Sequence, residues 1–172
     1  MCMRNGWLAL LLVAAAAAGD DGPGLGMPVP GAALEALDFT VLPDGTGLPP
    51  GEGSASTGAV LYRQHCLACH GENGSGGAND RLAGGQGSLD GPAPVKTVGS
   101  YWPYATTLFD YLRRAMPYNV PGSLSNDQIY ALTAYLLALN GIVDDTAVMN
   151  RDSLPAVRMP NRDNFDRAWP EE

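Results

Sequence analysis

A chain of 172 residues with 45% hydrophobic residues fits one ordinary domain with some length left over, and 22 glycines and 14 prolines mark long stretches of loop around a small helical centre. Eighteen acidic residues against ten basic ones give a formal net charge of −8, which argues against nucleic acid and anionic membranes as partners and suits a partner with a basic docking face. Three cysteines do not make a disulfide framework.

The N-terminus has the pattern of an export signal over residues 1–18. Arg4 supplies a positive start, and Trp7 to Ala18 form the uncharged run "WLALLLVAAAAA", which exits into "GDDG". This run is too short to span a membrane, which takes about twenty residues. Cleavage near Ala18 would remove Cys2, leave Cys66 and Cys69, and place the mature protein in the periplasm without a membrane span.

Residues 19–53 are rich in glycine and proline and read as a leader with little regular structure, although "LEALDFTVL" has the character to lie on a domain surface. The domain itself is expected over 54–143. A helix starts at Ser54 or Ser56, both good N-caps, and runs through "GAVLYRQHC" towards Cys69. From 71 to about 100 the chain is glycine-dense and lacks a period, as expected of a long loop that wraps something. The stretch "PYATTLFDYLRRA" predicts a second helix, with Pro103 near its first turn and Leu108, Tyr111, Leu112 and Ala115 on one face.

The third helix carries the fullest set of signals. Ser125 and Gln128 form a capping-box pair, "IYALTAYLLAL" is the body, and Asn140-Gly141 is the stop. Ile129, Leu132, Leu136 and Leu139 supply a continuous apolar stripe. After Asp144 the tail, 144–172, reads as polar and extended, and no strand alternation is strong enough to assign.

The chemistry concentrates in "HCLACHG", residues 65–71. Two thiols at i and i+3 on a helical turn can reach the two vinyl groups of one haem, and the next residue, His70, then offers its imidazole to the iron. Zinc would need four ligands, but His65 beside Cys66 lacks finger spacing. A redox dithiol would want a preceding strand and has no use for the histidine. Haem attachment therefore leads, with zinc and redox chemistry as the alternatives.

Haem requires a second axial ligand or an open position. His65 adjoins a covalent anchor and cannot reach the opposite face. Met27 lies in the leader and Met149 beyond the last helix. Met116, in "RRAMPYNVPG" between the second and third helices, can fold over the far face, and Met159 in "VRMPNRD" is the reserve. Tyr101, Trp102 and Tyr104 suit core packing or a hydrogen bond to a haem propionate. Arg81 and Lys96 suit solvent or a propionate, and Arg113 or Arg114 a docking rim.

From Gly58 to Ile142 the chain resembles a class I cytochrome c domain, an all-α fold wrapped around one haem. "GAVLYRQHCLACHG" is similar to the family's N-terminal helix and haem motif, "AMP" to its methionine loop and "LTAYLLAL" to its C-terminal helix. The resemblance implies that Gly58 and Tyr62 meet Leu132 and Tyr135 where the two helices cross.

From "DFTVLPDGTGLPPG" to "LPAVRMPNRD" the chain further resembles the haem subunits of sulfite dehydrogenase and sulfur-oxidation (Sox) cytochromes. That resemblance implies an electron-transfer protein, not an enzyme by itself. It would serve a molybdenum-cofactor sulfite-oxidising subunit and pass electrons to a downstream cytochrome or oxidase. The sulfur-oxidation subunits carry two haem domains, whereas one Cys-x-x-Cys-His here implies a single haem c on Cys66, Cys69, His70 and Met116. The competing function is a catalytic or gas-binding haem protein with an open iron position.

Overall fold

A computed structural model describes residues 25–166 and residue 168. The expected export signal lies outside the described residues. The chain divides into two units between Asp38 and Phe39. In the first, a short helix α1 (Gly31–Leu37) closes with the Asp38 amide donating to the Leu34 carbonyl at 2.8 Å.

The second unit runs β1 (Glu52–Ser54), α2 (Ala55–His65), α3 (Leu67–His70), α4 (Ala105–Ala115), α5 (Asn126–Leu139) and β2 (Val148–Asn150). It is mostly helical, as expected. The two strands pair antiparallel, with Gly53 opposite Met149. At three residues each, they are too short to show an alternating pattern in the sequence.

Helix α5 is the centre of this unit and packs against α2, α4 and both strands. Enclosure on several sides explains why its buried set exceeds the single stripe expected. Ile129, Tyr130, Ala131, Leu132, Thr133, Ala134, Leu136 and Leu137 are all buried. Its N-terminus bears the full capping box: Ser125 Oγ accepts from the Gln128 amide and Gln128 Oε1 accepts from the Ser125 amide. Asn140 is the C-cap, and Gly141 takes φ +68°.

Helix α2 is capped by Ser54, whose hydroxyl accepts from Thr57 N–H. It crosses α5 at Gly58, where a Cβ would run into the Ala131 carbonyl and Tyr135 Cβ. The Tyr62 and Tyr135 rings meet there at 5.2 Å. Helix α4 starts at Ala105 with Tyr104 as N-cap, so Pro103 lies ahead of the first turn. Its buried face is Ala105, Thr106, Leu108, Phe109 and Leu112. Tyr111, expected inside, is exposed, and Phe109 takes the place against Tyr130, 4.4 Å between ring centroids.

Parts of two stretches expected to be irregular or extended are built into this unit. In the leader, Val41 and Leu48 are buried. The Val41 amide bonds Asp110 Oδ1, and the Tyr130 hydroxyl donates to the Pro49 carbonyl. In the tail, Met149, Leu154 and Met159 are buried, and their burial offsets the entropy of ordering a largely polar segment. Asn161 is also buried and donates to the Tyr101 carbonyl at 2.8 Å.

Candidate haem site

The Cys-x-x-Cys-His motif sits on a bend between two helices. Cys66, at φ −122° and ψ −33°, ends α2 and begins α3, so the chain changes direction at the first thiol. Its carbonyl then accepts from the amides of Cys69 and His70 at 3.1 and 2.9 Å, so both thiols share a single tight turn. Cys66 is half-buried, Cys69 is exposed, and both thiols are free. Burial first, and Cys69 beside it second, push the Cys66 thiol up to about 11. Among the described residues no group of three or more His, Cys, Asp or Glu is placed to hold a metal ion.

His70 is the best-defined member of the site. Its Nδ1 lies 2.8 Å from the Asp80 carbonyl oxygen. A carbonyl can only accept, so Nδ1 carries the proton and Nε2 presents a lone pair. The segment after the motif folds back to make this contact. Gly71 takes φ +76°, Asn79 N–H donates to the Cys69 carbonyl at 2.9 Å, and Tyr62 Oη donates to the Gly71 carbonyl at 2.8 Å. Gly77 packs so closely on the motif that a Cβ there would strike the Cys69 carbonyl and the Gly71 nitrogen.

Met116 is the C-cap of α4. Its amide still bonds the Leu112 carbonyl while its own backbone is extended, which turns the chain into the loop that follows. Met116 is half-buried against the same core as Cys66, Leu67, Leu82, Trp102 and Leu124. Beyond it, Tyr118 and Val120 are exposed.

The other sulfur and nitrogen candidates are placed differently. Met159 is 1% exposed within the core and Met149 is also buried, whereas Met27 is exposed in the first unit and His65 is exposed on α2. Tyr101 is flanked by Phe165 and Lys96, Trp102 meets Tyr111 edge-on, and Arg162 lies over Tyr104. Tyr101, Trp102 and Tyr104 are half-buried, and Tyr111 and Phe165 are exposed. Arg113 and Arg114 both stack on Phe39, and Arg114 forks onto Asp110. Arg81 is exposed.

Sequence reasoning missed three contributors. The Asp80 carbonyl acts through its backbone, so residue type gives no clue. Gly77 is one glycine in a glycine-dense loop. Asn140 reads as a helix stop, yet its carboxamide also bonds Leu82 and Gly84 across the fold.

The donor set fits a covalently bound haem. Two thiols three residues apart share a turn, a histidine has one nitrogen committed and the other free, and a half-buried thioether ends α4. Comparison with known proteins agrees. The family model for cytochrome c matches residues 55–140, half of the chain. The crystal structure of the sulfane dehydrogenase SoxCD from Paracoccus pantotrophus contains a chain similar to this one. The two share 43% sequence identity and a TM-score of 0.78, over 88% of this chain and 73% of that one. No curated protein matches.

The chain belongs to the cytochrome c family. It is a class I c-type cytochrome similar to a Sox haem subunit, and its family carries covalently bound haem c for electron transfer. Among the described residues no helix is long and apolar enough to cross a membrane.

Proposed function

We propose that Cys66 and Cys69 tether one haem c through thioethers, with His70 Nε2 and Met116 Sδ as its axial ligands. The protein would carry single electrons in the periplasm, following export on residues 1–18. Its donor is a molybdenum-cofactor subunit that oxidises sulfite or a related sulfur compound, and its acceptor is a downstream cytochrome or oxidase. The likeness to a chain of SoxCD supports that choice of partner. The observation that carries the ligand assignment is the His70 Nδ1 contact with Asp80 O, which leaves Nε2 available one residue after the second thiol.

When bound, the haem supplies a one-electron couple whose potential methionine ligation raises. The chain's own residues do the rest. The Asp80 carbonyl fixes the His70 tautomer and raises the basicity of Nε2. Leu67, Leu82, Trp102 and Leu124 are half-buried apolar side chains packed on the same core as Cys66 and Met116. With His70 and Met116 both holding the haem iron, a substrate would have to displace one of them to bind, so the protein by itself would transfer electrons.

The test is optical. Oxidised wild-type protein should show the methionine-to-iron charge-transfer band, and Met116→Ala should abolish it. A Met116→Ala protein that retains the band rejects this ligand. The partner is tested by mixing the oxidised protein with a sulfite-oxidising molybdenum dehydrogenase and its substrate. Reduction of the haem within the dehydrogenase's turnover time is expected, and failure to reduce it rejects the donor.

A further inference from the structure

The His70 ring is held by a backbone carbonyl on a glycine-dense, largely exposed loop, an arrangement that on its own would leave the acceptor mobile. The loop is anchored just beyond that acceptor. Leu82 N–H bonds the Gly74 carbonyl at 2.8 Å, a tie back to the motif's own neighbourhood. One tie to the rest of the fold is the Val98 amide, which donates to the Leu82 carbonyl at 3.3 Å, and the other runs through Asn140 at the end of α5. Its Nδ2 donates to the Leu82 carbonyl at 3.2 Å and to the Leu136 carbonyl at 2.8 Å. Its Oδ1 accepts from Gly84 N–H at 3.2 Å.

The bond to Leu136 sets the side-chain rotamer, and the other two aim the carboxamide at both ends of the Leu82–Gly84 segment. Thr97 Oγ1 adds a bond to the Gly84 carbonyl at 2.6 Å. Asn140 is buried, and Gly99 packs directly over it, where a Cβ would strike Oδ1. Water therefore has little room at the Asn140 side chain itself, and an apolar residue in this place leaves the part-buried Gly84 N–H without its acceptor.

We infer that Asn140 is a positioning residue for the axial histidine: through Leu82 and Gly84 it keeps the Asp80 carbonyl against His70 Nδ1. The inference rests on His70 being the iron ligand. Leu82 is two residues from Asp80, so freeing the 82–84 segment frees the acceptor, and the ring loses the partner that fixes its tautomer and orientation.

The experiment follows exchange of the His70 ring N–H by NMR in the reduced holoprotein, beside the Tyr62 backbone amide on α2. In Asn140→Leu the ring proton should exchange at least tenfold faster relative to the Tyr62 amide than in wild type. Gln86→Ala, which removes a bond to the Asn140 backbone and spares its carboxamide, should leave that ratio unchanged. Should Asn140→Leu not fold, Asn140→Asp, which loses the Nδ2 donor to the Leu82 carbonyl, carries the same expectation. A ratio unchanged in the folded variant overturns the inference, because a purely structural role would speed both protons together. A wild-type His70 ring without haem-shifted resonances would instead overturn the ligand assignment beneath it.

Discussion

Gly58 of α2 lies against the backbone carbonyl of Ala131 of α5, with no space between them for a methyl group. The two helices that carry the haem motif and the centre of the core are therefore set by contact of backbone on backbone. Gly58→Ala must push one helix off the other, and the atom it meets is main chain, unable to swing aside. Overpacking of this kind costs about 3 kcal/mol, or roughly 6–12 °C in melting temperature. Calorimetry of the holoprotein measures it. A loss under about 1 kcal/mol would mean that the crossing adjusts and that the glycine is incidental.

The two methionines in similar "MP" contexts should separate cleanly by their effects. Met159 is fully buried in the core, so Met159→Ala leaves a cavity and costs about 2–5 kcal/mol of stability. It should leave the charge-transfer band intact. Met116→Ala should remove the band and, since Met116 is half-buried, cost less through packing. Denaturant titration and the oxidised absorption spectrum of both variants provide the comparison. A crossed result, with the band lost in Met159→Ala, would reverse the assignment.

Much of this was legible in the sequence, for identifiable reasons. Cys66, Cys69 and His70 are neighbours along the chain, so their spacing alone brings the donors together. The Ser125–Gln128 box and the Asn140-Gly141 stop are local signals and lie where expected. Long-range partners had no such signal. Asn140 reaches Leu82 and Gly84 over more than fifty residues, and nothing in its immediate neighbours announces that. Met149, Leu154 and Met159 fall five residues apart, a spacing that matches neither helix nor strand. On α4 only Leu108 and Leu112 of the expected face are buried; Phe109 and Tyr111 differ by half a turn, and only the position of α5 decides which goes inside.

High pH should unfold the protein through two phenols. Burial pushes Tyr62 and Tyr130 up to about 12 from the ordinary 10.0. Their folded-state values lie above the unfolded ones, so the contribution is complete below pH 10 and is lost as pH rises towards 12. Across that window stability should fall by up to about 1.4 kcal/mol per pH unit for each tyrosine. Tyr62→Phe should roughly halve the slope. Equal slopes in the variant and wild type, from denaturant titrations at several alkaline pH values, would show that other groups govern the transition.

The N-terminus of α5 offers a last, separable test. Ser125 Oγ takes the Gln128 amide, and Gln128 Oε1 takes the Ser125 amide, so each side chain satisfies a backbone donor that the helix leaves open. Ser125→Ala should cost about 1 kcal/mol. Gln128→Ala should cost less, because alanine is the better helix former and the Ser125 cap bond to the backbone amide of residue 128 remains. The two losses should not add, since the bonds are reciprocal and removing one loosens the geometry of the other. Both sites are at the far end of α5 from Asn140, so the His70 ring N–H should exchange as in wild type once overall stability is accounted for. Additive losses in a double-mutant cycle would mean that the two bonds act independently and that the helix start is held by its core contacts.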